Sequence, residues 1–232
     1  MRQCFAICSV ILLFINPAFV LAQEETESRD PIAPGLKYVD SYTIAGEKNF
    51  LKDIDPLSAD GDLNVIVEIP AGTIAKWEVT QPDGAIRWEF KDNKPRIVKY
   101  LGYPGNYCTV PRTLLPKEFG GDGDPLDIIV LGPTVLRGTV VKAKLLGVLK
   151  LLDGGEQDDK LVAVLADSPL YEANSIKELD EKFPGVTTIV NTWFVNYKGT
   201  GEIESRGYSD IAEAKAILDA SRKAFEEFTV AP

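Results

Sequence analysis

Histidine is absent from this 232-residue chain, and cysteine nearly so: of three cysteines, Cys4 and Cys8 fall within the first ten residues. Without histidine, no Ser-His-Asp or Cys-His nucleophile and no His-ligated zinc or copper centre can be built. The chain has no Gly-Lys dipeptide and no Gly-x-Gly-x-x-Gly sequence, so phosphate-binding loops of the Walker or Rossmann type lack their defining elements. After the first 22 residues no apolar run approaches the roughly 20 residues a membrane span needs.

The first 22 residues read as a secretory leader. Arg2 supplies a short positive start, Val10-Ile11-Leu12-Leu13-Phe14-Ile15 an apolar stretch, and Ala18-Phe19-Val20-Leu21-Ala22 a small-residue end. Pro17 and the short apolar run argue against a retained membrane anchor. Cleavage after Ala22 would remove 22 of 232 residues and leave 210, with Cys108 alone. One cysteine makes neither an internal disulfide nor a multi-thiolate metal site. The leader implies export to a periplasm or secretory compartment; the alternative is a cytoplasmic protein. Loss of Arg2 leaves 24 basic against 35 acidic side chains, a net charge of −11. That balance disfavours nucleic acid and anionic membrane as partners.

Residues 23–62 are polar and punctuated by Pro31, Pro34, Pro56 and Gly61, an expected N-terminal arm with one short strand near Tyr38–Thr43. From residue 63 to 230 a single domain is expected. It opens with short β-rich runs. Val65–Ile69 stops at Pro70-Ala71-Gly72, and Lys76–Thr80 and Ile86–Phe90 flank the turn signal Gln81-Pro82-Asp83-Gly84. Further strands are expected at Leu126–Leu131, at Thr139–Leu151 with a break at Gly147, and at Lys160–Leu165. Short strands with Gly/Pro turns and no intervening helices predict an antiparallel barrel or sandwich. Helices follow. Ser175-x-x-Glu178 is a capping-box pattern, and Asp210–Phe228 carries apolar residues at three- and four-residue steps. Val186–Tyr197 has the β-branched content of a strand and the apolar spacing of a helix, and is read as helix.

The densest chemistry lies in Gly120-Gly121-Asp122-Gly123-Asp124-Pro125-Leu126-Asp127. Three carboxylates on a Gly/Pro turn repel one another unless positive charge sits between them, and a hard divalent cation is the natural solution. An EF-hand fails, because Leu126 and Pro133 occupy positions where oxygen ligands are required. A second acidic loop, Asp153-Gly154-Gly155-Glu156-Gln157-Asp158-Asp159-Lys160, follows the long strand. Glu68 lies upstream, and Lys76 and Glu78 alternate and so share one face of a strand. Arg96, Tyr107, Tyr197 and Lys198 complete a set of donors suited to a polyphosphate anion.

Together these segments resemble the soluble inorganic pyrophosphatases of family I. Asp122-Gly123-Asp124-Pro125-Leu126-Asp127 is similar to the family signature. Glu68-Ile69-Pro70 with Lys76-x-Glu78, Arg96 with Tyr103-Pro104-x-Asn106-Tyr107, Asp153 with Asp158 and Lys160, and Tyr197-Lys198 follow in the family's order. Cys108 stands where the family commonly has glycine. The resemblance implies a mainly β fold with helices, a closed five-stranded OB-like antiparallel barrel with packed helices (α+β), and Mg²⁺-dependent hydrolysis of pyrophosphate to two orthophosphates. It implies several Mg²⁺ ions, held by Asp122, Asp127, Asp153 and Asp158, with Glu78 acting through water. Asp124 would be the general base beside Asp122, with Tyr107 also in the catalytic group. Lys76, Arg96, Tyr107, Lys160, Tyr197 and Lys198 would bind the phosphates, and Glu68 would support them. A homo-oligomer is also expected. Hydrolysis of another phosphoanhydride, such as a nucleoside or short polyphosphate, and an exported acidic calcium-binding protein are the competing readings. The first has no visible nucleotide site, and the second leaves Lys76, Arg96, Lys160 and Lys198 unexplained.

Overall fold

The computed structural model describes residues 30–117, 121 and 123–230. The expected leader, residues 23–29 of the arm, and Asp122 lie outside the described residues. Two strands open the described chain, β1 (Lys37–Asp40) and β2 (Thr43–Ala45), where the sequence suggested one. They join the hairpin β4 (Trp77–Thr80) and β5 (Ala85–Trp88) in a four-stranded sheet, with β3 (Leu63–Ile69) preceding that hairpin. A small hairpin, β6 (Phe90–Lys91) and β7 (Lys94–Pro95), follows. The chain continues through β8 (Asn106–Thr109), β9 (Asp127–Leu131), β10 (Val140–Asp153), β11 (Glu156–Gln157) and β12 (Lys160–Leu165). The helices α1 (Ile176–Lys182) and α2 (Val186–Asn196), strand β13 (Ile203–Ser209) and helix α3 (Ile211–Val230) complete it.

Five strands close into a ring in the order β10, β12, β9, β8, β3 and back to β10. Every pairing in the ring is antiparallel except β9 with β12, which is parallel. The reason is topological: strand directions cannot alternate all the way round a closed ring with an odd number of members. One parallel seam is therefore obligatory, and this seam carries the chemistry described below.

Alternation of side chains decides what each face of the ring does. Val65 and Val67 of β3, Cys108 of β8, Ile128 and Val130 of β9, Ala143 and Leu145 of β10, and Leu161 and Ala163 of β12 meet in one interior cluster. Cys108 is fully buried there. The opposite faces of β8, β9, β10 and β12 present Tyr107, Ile129, Leu149 and Val162 to α1 and α2. Ile66 of β3 packs instead against Phe50, Leu51, Trp77 and Ile86 beneath the N-terminal sheet.

The break expected at Gly147 is a register shift in β10, which stays one 14-residue strand. A side chain at Gly147 would stand 2.4 Å from the carbonyl oxygen of Ser209, so glycine permits β13 to approach. Val186–Asn196 is helical: Val190, Trp193 and Phe194 are buried while Ile189 is exposed, one face of a 3.6-residue period. Ser175 caps α1 by accepting the Glu178 N–H at 3.1 Å, and the Glu178 carboxylate returns to the N–H of Asn174. Asp210 caps α3 through the N–H groups of Ala212 and Glu213. The short strand β8 and the charged strand β13 had no alternating apolar signal, and barrel closure and pairing with β10 create them.

Candidate active site

The parallel seam places Leu161 beside Ile128, and therefore Lys160 beside Asp127, at the ends of β12 and β9. The Lys160 Nζ lies 2.6 Å from Asp127 Oδ2 and 2.6 Å from Asp158 Oδ1, although Asp127 and Asp158 are 31 residues apart. Tyr107 faces the same way from β8, where it pairs with Ile129 and Ile69, and its hydroxyl is hydrogen-bonded to Asp127. Its ring lies 6.0 Å from the Lys160 ammonium and 5.8 Å from that of Lys76. Glu68 occupies the register shift between Val67 and Ile69 in β3, and its carboxylate accepts the Val79 N–H at 2.6 Å.

Burial and charge compete at each of these groups. Burial pushes Glu68 well above the usual carboxylate range, reinforced by the neighbouring Asp127. At Asp127 burial acts the same way, but Lys160, Lys76 and the Tyr107 hydroxyl outweigh it and hold the carboxyl low. Asp158 is raised, because burial exceeds the help it receives from Lys160. Burial would lower both lysines. The carboxylates of Asp127 and Asp158 around Lys160, and of Asp127, Glu78, Glu68 and Glu89 around Lys76, reverse that, and both ammonium groups are held above their ordinary value. Tyr107 is driven far up by burial, then by Asp127 and Asp158, so it stays a neutral donor.

A second wall is assembled from less regular structure. Glu89 chelates Arg96 Nη1 at 2.6 and 2.9 Å and lies 3.5 Å from the Lys76 ammonium, which also meets Glu78 at 3.4 Å. Tyr197, just beyond α2, stacks on Trp193 at 4.6 Å with the rings 7° apart, and Lys198 forms an ion pair with Asp153. Burial pushes Tyr197 up, so it too remains protonated. Glu68, Lys76, Glu78, Asp124 and Asp127 line one cavity of 390 Å³, and Arg96, Tyr197 and Lys198 line a larger one of 1030 Å³. Glu89 bridges them through Lys76 and Arg96.

The structure thus gathers most of the sequence-selected residues at one end of the barrel. Asp122 is outside the described residues. Asp124 is exposed at the cavity mouth, where its carbonyl oxygen accepts the Leu115 N–H. Two residues that the structure brings into play were not among those selected from the sequence. Glu89 sits near the end of the expected strand Ile86–Phe90, where it reads as an ordinary solvent-facing charge. Asp159 points away from the site, takes the Leu151 N–H at 3.0 Å and the Lys150 ammonium at 2.5 Å, and so anchors the loop bearing Asp158 and Lys160. Strand alternation between Asp158 and Lys160 was the clue available for Asp159.

The donor chemistry fits a hard divalent cation. Asp127, Asp158 and Asp153 offer oxygen only, and each is compensated by a lysine ammonium. Among the described residues no three acidic or thiol side chains gather at metal-binding distance.

Residues 65–226 match the family model described as inorganic pyrophosphatase. This chain belongs to the inorganic pyrophosphatase family. The inorganic pyrophosphatase of Kluyveromyces lactis is 36% identical over 224 residues, covering 80% of this chain and 78% of that protein. The structure of inorganic pyrophosphatase from Schistosoma japonicum superposes with a TM-score of 0.72 at 28% identity, covering 78% of this chain and 72% of that one. A truncated vacuolar soluble pyrophosphatase of Trypanosoma cruzi, solved in complex with PPi, superposes at 0.69 with 26% identity, covering 79% and 77%. The family's OB-like barrel is the closed five-stranded ring seen here, with its one parallel seam.

Proposed function

We propose that this pyrophosphatase-family chain adds water to inorganic pyrophosphate and releases two orthophosphates, in a reaction dependent on Mg²⁺. The observation that carries the reading is the Asp127–Lys160–Asp158 bridge facing the Arg96–Lys198 wall: paired carboxylates opposite paired cations at one barrel end. Asp122, Asp127, Asp153 and Asp158 would hold the cations, with Glu78 reaching one through water. Bound divalent cations supply Lewis acidity and neutralise phosphate charge.

The remaining work falls to the side chains. Asp124, exposed at the cavity mouth, takes the proton of the attacking water. Lys76 and Lys160, held charged by their carboxylate neighbours, grip one phosphoryl group, and Tyr107 donates to it without adding charge. Arg96, Tyr197 and Lys198 hold the other as negative charge builds on it. Glu68, buried behind Lys76, supports the floor.

The test is phosphate release by purified protein. Two orthophosphates per pyrophosphate, appearing only with divalent metal, are expected. Turnover of ATP with none of pyrophosphate would refute the assignment, as would stoichiometric Ca²⁺ binding without turnover.

The leader pattern supports cleavage after Ala22 and export, checked by N-terminal sequencing of mature protein; an intact Met1 on soluble cytosolic protein refutes it. Self-association of the chain is supported by the exposed Ile74, Ile97, Tyr100 and Leu101, which follow one another along neighbouring backbone. Mass photometry reading a single-chain mass at micromolar concentration would refute it.

A further inference from the structure

The hairpin β6–β7 carries two cross-strand pairs on the face that lines the 1030 Å³ cavity. The inner pair is Glu89 opposite Arg96, joined by the Arg96 N–H to the Glu89 carbonyl at 2.8 Å and by the bidentate ion pair. The outer pair is Lys91 directly opposite Lys94. Strand alternation puts Lys91 on the face of Glu89, and Lys94 on the face of Arg96. All four line the cavity, with Lys99 and Lys198. Phe90, on the opposite face, packs edge-on against Tyr42 at 4.9 Å, which fixes the side the lysines take. The turn between them, Asp92-Asn93, has φ of 53° and 59°, the tight geometry that locks a two-residue hairpin in register.

Like charges directly opposite each other destabilise a β-pair. Lys91 and Lys94 are nonetheless placed so, exposed, and neither side chain has an ion-pair or hydrogen-bond partner among the described residues. Asp92 and Glu202 also line the cavity and pair with neither lysine. This occurs in a chain with a formal charge of −10, where acidic partners are plentiful. Two residues along a strand advance about 7 Å, so the unpaired lysines lie one step outward from the phosphate-binding Arg96 on a continuous surface.

We propose that Lys91 and Lys94, with Lys99, form a subsite for the next phosphoryl group of a linear polyphosphate whose inner phosphates occupy the Arg96–Tyr197–Lys198 wall. The ligand class is inorganic tripolyphosphate and longer chains. The inference rests on the pyrophosphatase reading, because it extends that site outward. Pyrophosphate itself ends before reaching the lysines, so they discriminate by chain length.

The test uses inorganic tripolyphosphate as a competitor of pyrophosphate hydrolysis by the full mature chain, with binding also measured by calorimetry in Mg²⁺. The double variant Lys91→Ala/Lys94→Ala should raise the tripolyphosphate inhibition constant roughly five- to tenfold, with kcat and KM for pyrophosphate unchanged. The single variant Lys91→Gln should show part of that effect, and an unchanged melting temperature in both excludes misfolding. Equal tripolyphosphate affinity in wild type and double variant overturns the subsite. A parallel loss of pyrophosphate affinity also overturns it, by reducing the lysines to a general field. ATP that competes as strongly as tripolyphosphate, with the same sensitivity to the double variant, overturns the assignment to inorganic chains. Absence of pyrophosphate turnover by the wild type would refute the parent reading instead, and is measured first.

Discussion

The two walls of the active site are built to different standards of rigidity. The inner wall, Tyr107, Asp127 and Lys160, stands on three adjacent barrel strands, and its groups are locked by backbone register and by one another. The outer wall, Arg96, Tyr197 and Lys198, lies outside the ring: the Arg96 backbone is hydrogen-bonded to Glu89, Lys76 and the Trp88 ring N–H, while Tyr197 and Lys198 stand just past α2 with their side chains resting on Trp193 and Asp153. Charges that must survive burial are placed where the backbone leaves them no choice. The outer cations stand on a hairpin end and a helix end, outside the register of the ring.

Removing a carboxylate from the inner wall should have the largest effect on this contrast. Asp127→Asn is expected to lower pyrophosphate turnover by about 100-fold or more, as read by orthophosphate release. A change within threefold would show that the inner wall is scaffolding. Lys160→Met leaves Asp127 and Asp158 facing each other without their shared cation. Metal-free protein should lose about 3 kcal/mol of stability, visible in denaturant melts, and added Mg²⁺ should restore part of it. Failure of Mg²⁺ to restore any stability would argue against a cation between these carboxylates.

On the outer wall the effects should be smaller. Arg96→Lys keeps the charge but replaces the planar guanidinium, of which Glu89 takes only Nη1, with one ammonium that Glu89 can occupy entirely. KM should rise about tenfold with the melting temperature unmoved, and an unchanged KM would remove Arg96 from the phosphate wall. Outside both walls, Asp83 is held down to about 2 by its hydrogen bonds to Arg87. A depressed carboxylate contributes stability above its unfolded value of 3.8 and loses it as pH falls through about 2. Asp83 is half exposed, so Asp83→Asn should cost no more than a few tenths of a kcal/mol. That difference should vanish below pH 2, with turnover unaffected throughout.

Much of the site is legible in the sequence alone, for a chemical reason. Carboxylates as close in sequence as Asp122, Asp124 and Asp127, and again Asp153 and Asp158, repel one another wherever the fold buries them together, which makes cations their natural partners. The strands at Val65–Ile69 and Lys160–Leu165 and the helix from Asp210 announce themselves by periodicity and capping. Glu89 does not, because a lone glutamate on a short strand looks like any solvated charge until Arg96 and Lys76 converge on it. Strands β8 and β13 stay hidden because pairing partners, rather than their own residues, make them strands. Residues 31–62, which look like an arm, carry Leu51 and Ile54 into a buried cluster whose other members lie far along the chain.

By itself the sequence determined the inventory: no imidazole, one cysteine beyond the first ten residues, and carboxylate, ammonium, guanidinium and phenol groups as the polar chemistry at hand. Composition is a property of the chain and needs no folding to be read. Only the tertiary structure decided which carboxylate meets which lysine. Lys160 lies 33 residues from Asp127 and reaches it because a closed ring of five strands must contain one parallel pair, and that pair sets the two ends side by side.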